Sequence, residues 1–247
     1  MRNRVLIIAV LAGLGLAAVG VSWFLGRDSI AAVDIERALT DAAAADEAQA
    51  PAADGDDATA AGAVTDATGE WTVDTTFVDF DPITGAGSWV GYRVDEELSG
   101  VGAYTAVGRS PRVDGEVVID GSEVLAASVR ADLQGLVSDN ANRDARVRPL
   151  FADRPVEFIL SDTVDFGAVP SEGQRITVTA RGVLRIGTIE RDVEVELSAD
   201  VAGSRLIITG STVITLADFG VSVPSAPVVL SVSDEATIEF QLFLSRD

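Results

Sequence analysis

From residue 192 to 201 the chain reads DVEVELSADV, with Val193, Val195, Leu197, Ala199 and Val201 on one side of the alternation and Asp192, Glu194, Glu196, Ser198 and Asp200 on the other. Successive side chains of a strand point to opposite faces, so this period of two predicts a strand with one dry face and one wet face. The same alternation recurs in AASVRADL (126–133; Ala127, Val129, Ala131 and Leu133 inward), RITVTARGVLRI (175–186; Ile176, Val178 and Ala180 inward), SRLIITGSTVITL (204–216) and ATIEFQLFL (236–244; Ile238, Phe240, Leu242 and Leu244 inward). Turn-forming stretches such as VDGE, IDGSE, VPSEGQ and ADVAGS separate these runs. Helical periodicity is nearly absent after residue 71. Residues 71–247 are therefore predicted to form one all-β domain. Long strands joined by short turns in an antiparallel meander predict a closed barrel, which leaves no exposed sheet edge; a sandwich is the alternative.

Two other textures precede the domain. The run VLIIAVLAGLGLAAVGVSWFLG (residues 5–26) carries no charge and, as a helix rising 1.5 Å per residue, spans about 30 Å, the thickness of a bilayer's hydrocarbon core. Arg2 and Arg4 precede it, so the positive-inside bias predicts a single-pass anchor over residues 1–27, with the N-terminus cytoplasmic and the rest extracytoplasmic. A cleaved signal peptide, with secretion, is the alternative; the apolar run is longer than such peptides use, and no clean A-x-A site closes it. Residues 28–70 hold eleven acids against one arginine, Arg37, with little to bury, and predict a largely disordered acidic tether. Within it, Ser29 is a possible N-cap, and Ile35, Ala38, Leu39 and Ala42 fall at helical spacing, so a short helix is expected before Pro51.

Composition removes most chemistry. The chain has no His and no Cys, and all eighteen of its basic residues are arginine. Ser-His-Asp and Cys-His nucleophiles, Lys-based catalysis, structural zinc and disulfides are excluded, and no cofactor is implied. A formal net charge of -21 argues against nucleic acid as a partner. GAGSWVG (85–91) has its third glycine misplaced for a dinucleotide fingerprint and is followed by a strand-like run rather than a helix, and reads as a turn before a strand. SDNANRD (138–144) places Ala141 and Arg143 where a calcium loop needs ligands, so its oxygens are expected to cap a turn or helix start. Carboxylate pairs are the only acid–base chemistry left, and no spacing selects one; the acidic strand faces read as solvated surface.

One stretch departs from the acidic background: NRDARVRPLFADRP (142–155), with Arg143, Arg146, Arg148 and Arg154. Asn142 can cap a turn or two of helix that Pro149 ends, and Val147, Leu150 and Phe151 then share one side. This predicts a lid over one barrel mouth, apolar side inward and arginines reaching nearby acids. Arg143-Asp144, Val147 (where Leu is usual), Phe151, Pro155 and Phe158 also resemble the R-D-x-x-L, F, P-x-x-F signature of the YceI-like proteins. Leu136, Ser138 and Asn140 are similar to that family's strand end and turn. Gly182, Leu184 and Ile186 are similar to its G-x-L-x-I strand, DFG (218–220) to its late turn, and SDEATIEFQL (233–242) to its closing strand. The lid segment is a few residues shorter than the family's, Thr188 stands for a usual Gly, and Glu190 for a usual Thr.

The resemblance covers residues 71–247. It implies an eight-stranded antiparallel lipocalin-like barrel whose apolar interior holds a long isoprenoid or similar lipid, in an extracytoplasmic compartment, without catalysis. On that reading Tyr92, Val94, Val129, Leu133, Phe158, Val178, Leu184, Val195, Leu197, Ile208, Phe219, Ile238 and Phe240 are candidate wall residues, with Leu150 and Phe151 in the lid. For each the alternative is core filler, because a barrel of this size either fills its interior or leaves room for one ligand. A second functional reading is a ligand-free barrel that binds a protein partner, whose identity the sequence leaves unknown. A third is an enzyme built on a carboxylate pair.

Overall fold

The computed structural model describes residues 30–49, 67–167, 169, 171–223 and 226–246. The expected membrane helix at 5–26 and the tether beyond Pro51 lie outside the described residues, apart from residues 67–70. Among the described residues no helix is long and apolar enough to cross a bilayer.

The alternating runs form thirteen antiparallel strands in one sheet: β1 (Gly69–Val73), β2 (Trp89–Leu98), β3 (Gly102–Ser110), β4 (Val113–Asp120), β5 (Glu123–Ala131), β6 (Val137–Ser138), β7 (Val156–Leu160), β8 (Val164–Asp165), β9 (Ile176–Ile186), β10 (Ile189–Ala202), β11 (Arg205–Thr215), β12 (Val229–Val232) and β13 (Glu235–Ser245). The order β1-β4-β5-β7-β9-β10-β11-β13 returns to β1 through Thr72 opposite Ser245, so eight strands close the barrel. The remaining pieces continue those eight. β2 takes the same edge of β13 as β1, nearer the other end, and β3 leads into β4 across Pro111 and Arg112. β6 pairs with β3, β8 with β5 and β12 with β2. One end, here the mouth, carries the β2–β3 turn after Leu98 and the β9–β10 turn at Gly187. The other, the base, carries the β10–β11 turn at Gly203.

The period of two is realised as expected on β10, where Val195, Ala199 and Val201 are buried while Glu194 and Glu196 are exposed. The base half of the barrel is solid: Trp71, Val117, Ile119, Val201, Leu206 and Leu244 pack there, and the Trp71 indole N–H donates to the Ala67 carbonyl at 2.8 Å. Each fully buried side chain of this size contributes roughly 1.5–3 kcal/mol through apolar area removed from water.

β13 breaks the one-wet-face rule. Its outward side chains Glu239, Gln241 and Phe243 are all buried, which corrects the reading of the polar strand faces as solvated surface. The cover comes from two segments outside the barrel. Helix α1 (Ile35–Gln49) lies across β10 and β11, and its Ile35, Ala38 and Ala42 form a second core with Phe77, Ile207 and Phe243. An isolated helix of this length is marginal in water, so the apolar stripe seated on the barrel is what stabilises it. The residues before it form a strap. The Ile30 carbonyl accepts from Arg93 Nη2 at 2.8 Å and the Ala31 carbonyl from Arg109 Nη2 at 2.7 Å, while the Val33 N–H donates to Glu239 Oε2 at 3.2 Å.

Under the strap lies a buried ion cluster. Arg93 Nε donates to Glu239 Oε2 at 3.0 Å, and Arg109 Nη2 lies 3.6 Å from Glu239 Oε1. The Arg109 guanidinium stacks 4.3 Å from the Trp89 ring centroid and donates to the Pro82 carbonyl at 3.0 Å. The GAG turn closes over it. Gly85 has φ +81°, and a Cβ there would sit 2.8 Å from Arg109 Nη1, so both backbone conformation and space require glycine.

Candidate ligand cavity

The mouth half of the barrel is hollow. An apolar cavity of about 490 Å³ opens there, and a narrow extension of about 60 Å³ continues it toward the base, the two sharing Val90, Val156 and Ile238. The strands supply the walls by alternation, and the lid supplies the roof. Helix α2 (Ala141–Val147) begins at Asn140, whose side-chain oxygen accepts from the backbone N–H groups of Asn142 and Arg143 at 3.0 and 3.3 Å. The cap thus falls two residues before the predicted one. Asp144 is held by the Ser138 hydroxyl at 2.6 Å, so these oxygens serve the turn. After α2 the 3-10 turn Arg148–Phe151, with Pro149 inside it, brings Val147, Leu150 and Phe151 over the cavity.

The sequence-derived wall residues separate into three groups. Tyr92, Val94, Leu133, Leu150, Phe151 and Ile238 line the main chamber, and Val129, Phe158, Leu184, Val195, Leu197 and Phe240 line the extension together with Ile238. Val178, Ile208 and Phe219 reach neither. β7 leaves β9 after Leu160 opposite Gly182, so Val178 borders a separate shallow cleft with Asp162 and Arg181. Ile208, between Ala199 and Leu242, belongs to the packed base half. Phe219 sits in the 3-10 turn Leu216–Phe219 and is core, its backbone carbonyl accepting from Arg154 Nη2 at 2.6 Å.

Other wall positions went unassigned in the sequence. Val90 lies on the alternation that gave Tyr92 and Val94, and Ile214 on that of SRLIITGSTVITL, so both were within its reach. Val229 and Val232 sit on β12, whose pairing with β2 shifts register between Val229 and Ser231; that irregularity erases the period-two signal.

Glycines on the inner wall give the aromatic rings room to lie flat. Gly108 stands opposite Tyr92 and Gly210 opposite Phe240, and a Cβ at Gly182 would fall 2.3 Å from Phe158 Cε2 and 2.5 Å from the Ile159 carbonyl. Gly182→Ala is therefore expected to drive the Phe158 ring into the extension and to cost about 1–3 kcal/mol as overpacking. A thermal melt reads the cost, and a crystal structure of the variant reads the ring position.

Charge is confined to the roof. Arg143, with a side chain only 12% exposed, donates to Asp139 Oδ1 at 2.8 Å, lies 3.7 Å from Glu96 and stacks 5.2 Å from the Tyr104 ring centroid. It is more enclosed than a surface arginine reaching for acids. Arg148 pairs with Asp144 and donates to the Leu136 carbonyl at 2.6 Å. Burial raises the Glu96 carboxyl, which Arg143 opposes, and burial pushes the Tyr92 hydroxyl far above the ordinary phenol range. The described residues hold no cluster of three or more potential metal ligands. The arrangement offers an apolar interior with polar atoms at its opening, suited to enclosing an apolar chain.

Fold and cavity together define a class: closed eight-stranded barrels with one blind apolar chamber, the size at which a barrel holds a single small ligand. The chain belongs to the YceI-like domain family, whose model matches residues 78–244. A polyisoprenoid-binding domain from Saccharophagus degradans implicated in plant cell wall breakdown shares the fold, with TM-score 0.52 and 15% identity over 72% of this chain and 98% of that one. BcnA of Burkholderia cenocepacia matches with TM-score 0.46 and 18% identity over 63% of this chain and 95% of its own. A YceI protein of Campylobacter jejuni matches with TM-score 0.43 and 14% identity over 57% and 85%. No curated protein matches the chain.

Proposed function

We propose that this chain is a membrane-tethered, extracytoplasmic lipid-binding protein that holds a long, polyisoprenoid-like apolar chain in the barrel and performs no catalysis. The observation that carries the proposal is the blind apolar cavity at the mouth, about 490 Å³ and roofed by Leu150 and Phe151. Membership of the YceI-like family and the polyisoprenoid-binding character of the Saccharophagus domain support the ligand class. The uncharged run at residues 5–26 supports the tether and the compartment.

The energetics suit such a ligand. Each buried CH₂ contributes about 0.8 kcal/mol, so affinity rises with enclosed chain length and needs no specific polar contact. At roughly 30 Å³ for a group the size of a water molecule, the two chambers hold on the order of 18 heavy atoms. A longer chain therefore extends out through the mouth.

Ile238 stands where the main chamber meets the extension, which makes Ile238→Trp a direct test. Blocking the extension against two methylenes costs about 1.6 kcal/mol, roughly fifteenfold in Kd. Titration with a fluorescent prenyl probe should show that loss in a variant that keeps the wild-type circular dichroism. Unchanged affinity would place the ligand elsewhere.

A further inference from the structure

The rim of the mouth is apolar where it meets solvent. Val223 and Val228 border the cavity and are 40% and 60% exposed. Leu98 borders it beside them: its backbone pairs with Val229, and the Ser99 N–H donates to the Val228 carbonyl at 2.8 Å. Arg146 on the lid is likewise exposed, borders the same cavity, and has no ion-pair or hydrogen-bond partner among the described residues. Arg143, Arg148 and Arg154 are all engaged.

The strap shows which way this rim points relative to the N-terminal segment. Arg109 pairs through its backbone with Gly91 and holds the Ala31 carbonyl; Arg93, two positions further along β2 toward the mouth, holds the Ile30 carbonyl. Read toward the N-terminus, the strap from Val33 to Ile30 runs in the direction of the mouth. In the other direction α1 descends to the base, where Gln49 Nε2 donates to the Phe77 carbonyl at 3.2 Å and Asp46 neighbours Gly203. Three residues, Arg27 to Ser29, lie between Gly26, the end of the apolar run, and Ile30, a connection of four residue steps. Four residues reach at most about 14 Å.

We propose that the barrel sits mouth-down on the bilayer, with Val223, Val228 and Leu98 in the interface and Arg146 against anionic headgroups. The proposal rests on residues 5–26 being a membrane anchor. Given that anchor, the short connection and the direction of the strap set the mouth close to the membrane surface, and the base, beyond α1, away from it. Apolar side chains and an arginine are the groups that lie favourably in an interface. A ligand longer than the chamber would then pass between bilayer and barrel without its apolar chain crossing water.

The chain has no cysteine, so single labels are clean. Full-length V223C, V228C and, at the base, S204C are each labelled with an environment-sensitive fluorophore. Each is then reconstituted into vesicles of phosphatidylethanolamine and phosphatidylglycerol that carry a nitroxide-labelled lipid. The expected result is a blue shift and loss of most emission at 223 and 228, with S204C nearly unquenched. Flotation of the vesicles checks the anchor separately: protein that does not float overturns the anchor reading. Protein that floats with 223 and 228 unquenched, or with 204 quenched equally, overturns the orientation. A shift at 228 that depends on protein concentration in lipid-free detergent solution identifies a second copy as the cover of the rim, and also overturns it.

Discussion

Glu239→Gln is expected to lower the unfolding free energy by about 3–5 kcal/mol, the cost of leaving a buried charge without its partner. Arg109 is fully buried and Glu239 is 1% exposed, so neither can turn to water when the other is lost. The Arg109 guanidinium would keep its carbonyl partners at Pro82 and Ala31, which satisfy hydrogen bonds but carry no charge. Burial already works against the charged form of Arg109, and the Glu239 carboxylate opposes that effect. The same variant weakens one anchor of the strap, since the Val33 N–H, which donates to the carboxylate, would meet at best a neutral amide oxygen. Chemical denaturation reads the stability, and proteolysis reads the release of residues 30–49. The control is Glu194→Gln, whose partner Arg181 is 70% exposed; a surface pair of that kind is worth at most about 1 kcal/mol. Equal losses in the two variants would show that the cluster is not what holds the strap.

The second large effect is expected in the lid. Phe151 is 9% exposed and Leu150 half-buried, both over the cavity, and replacing a buried Phe by a small residue costs about 3–5 kcal/mol. Leu150→Ser with Phe151→Ser should destabilise the barrel by at least that much and abolish ligand retention, because water gains access to the apolar chamber. Arg146→Gln with Arg148→Gln should cost less, about 1.5–3 kcal/mol, the worth of the charged hydrogen bond from Arg148 to the Leu136 carbonyl. Arg146 has no partner among the described residues, and the Arg148–Asp144 pair at 3.5 Å is partly exposed. Denaturation midpoints and the amount of co-purified ligand measure both pairs. A reversed ranking would mean that charge, rather than apolar contact, closes the mouth.

The strands were legible because a half-buried strand writes its two faces into alternate residues. From Val193 to Val201 the side facing the interior follows directly from the sequence, and the neighbouring strands follow in the same way. What alternation cannot say is whether the other face is wet. Glu196 and Glu239 look identical in their strands, yet one is exposed and the other lies under residues some two hundred positions away in the chain. The cover of β13 is a tertiary fact.

The site was legible to a different depth. Alternation and the resemblance together brought Tyr92, Leu133, Phe158, Leu184 and Phe240 to the two chambers, but a period of two carries no height along the barrel axis. Ile208 faces inward and still falls in the packed base half, while Val178 falls where β7 has already left β9. The rim was not legible at all, since residues 221–223 and 226–228 lie outside any strand and β12 after them is irregular. The arginines of the lid segment reached acids as expected at Arg143 and Arg148, whereas Arg154 holds the Phe219 carbonyl instead. Between them, Val147, Leu150 and Phe151 form the apolar part that meets the cavity.

The measurement that bears most directly on the central claim is mass spectrometry of an organic extract of the full-length protein purified from its native host. The account predicts one long apolar chain per barrel, released intact and absent from an extract of the Leu150→Ser, Phe151→Ser variant. A stoichiometrically lipid-free wild-type extract, together with a crystal structure showing the mouth half of the barrel filled by its own side chains, would contradict it.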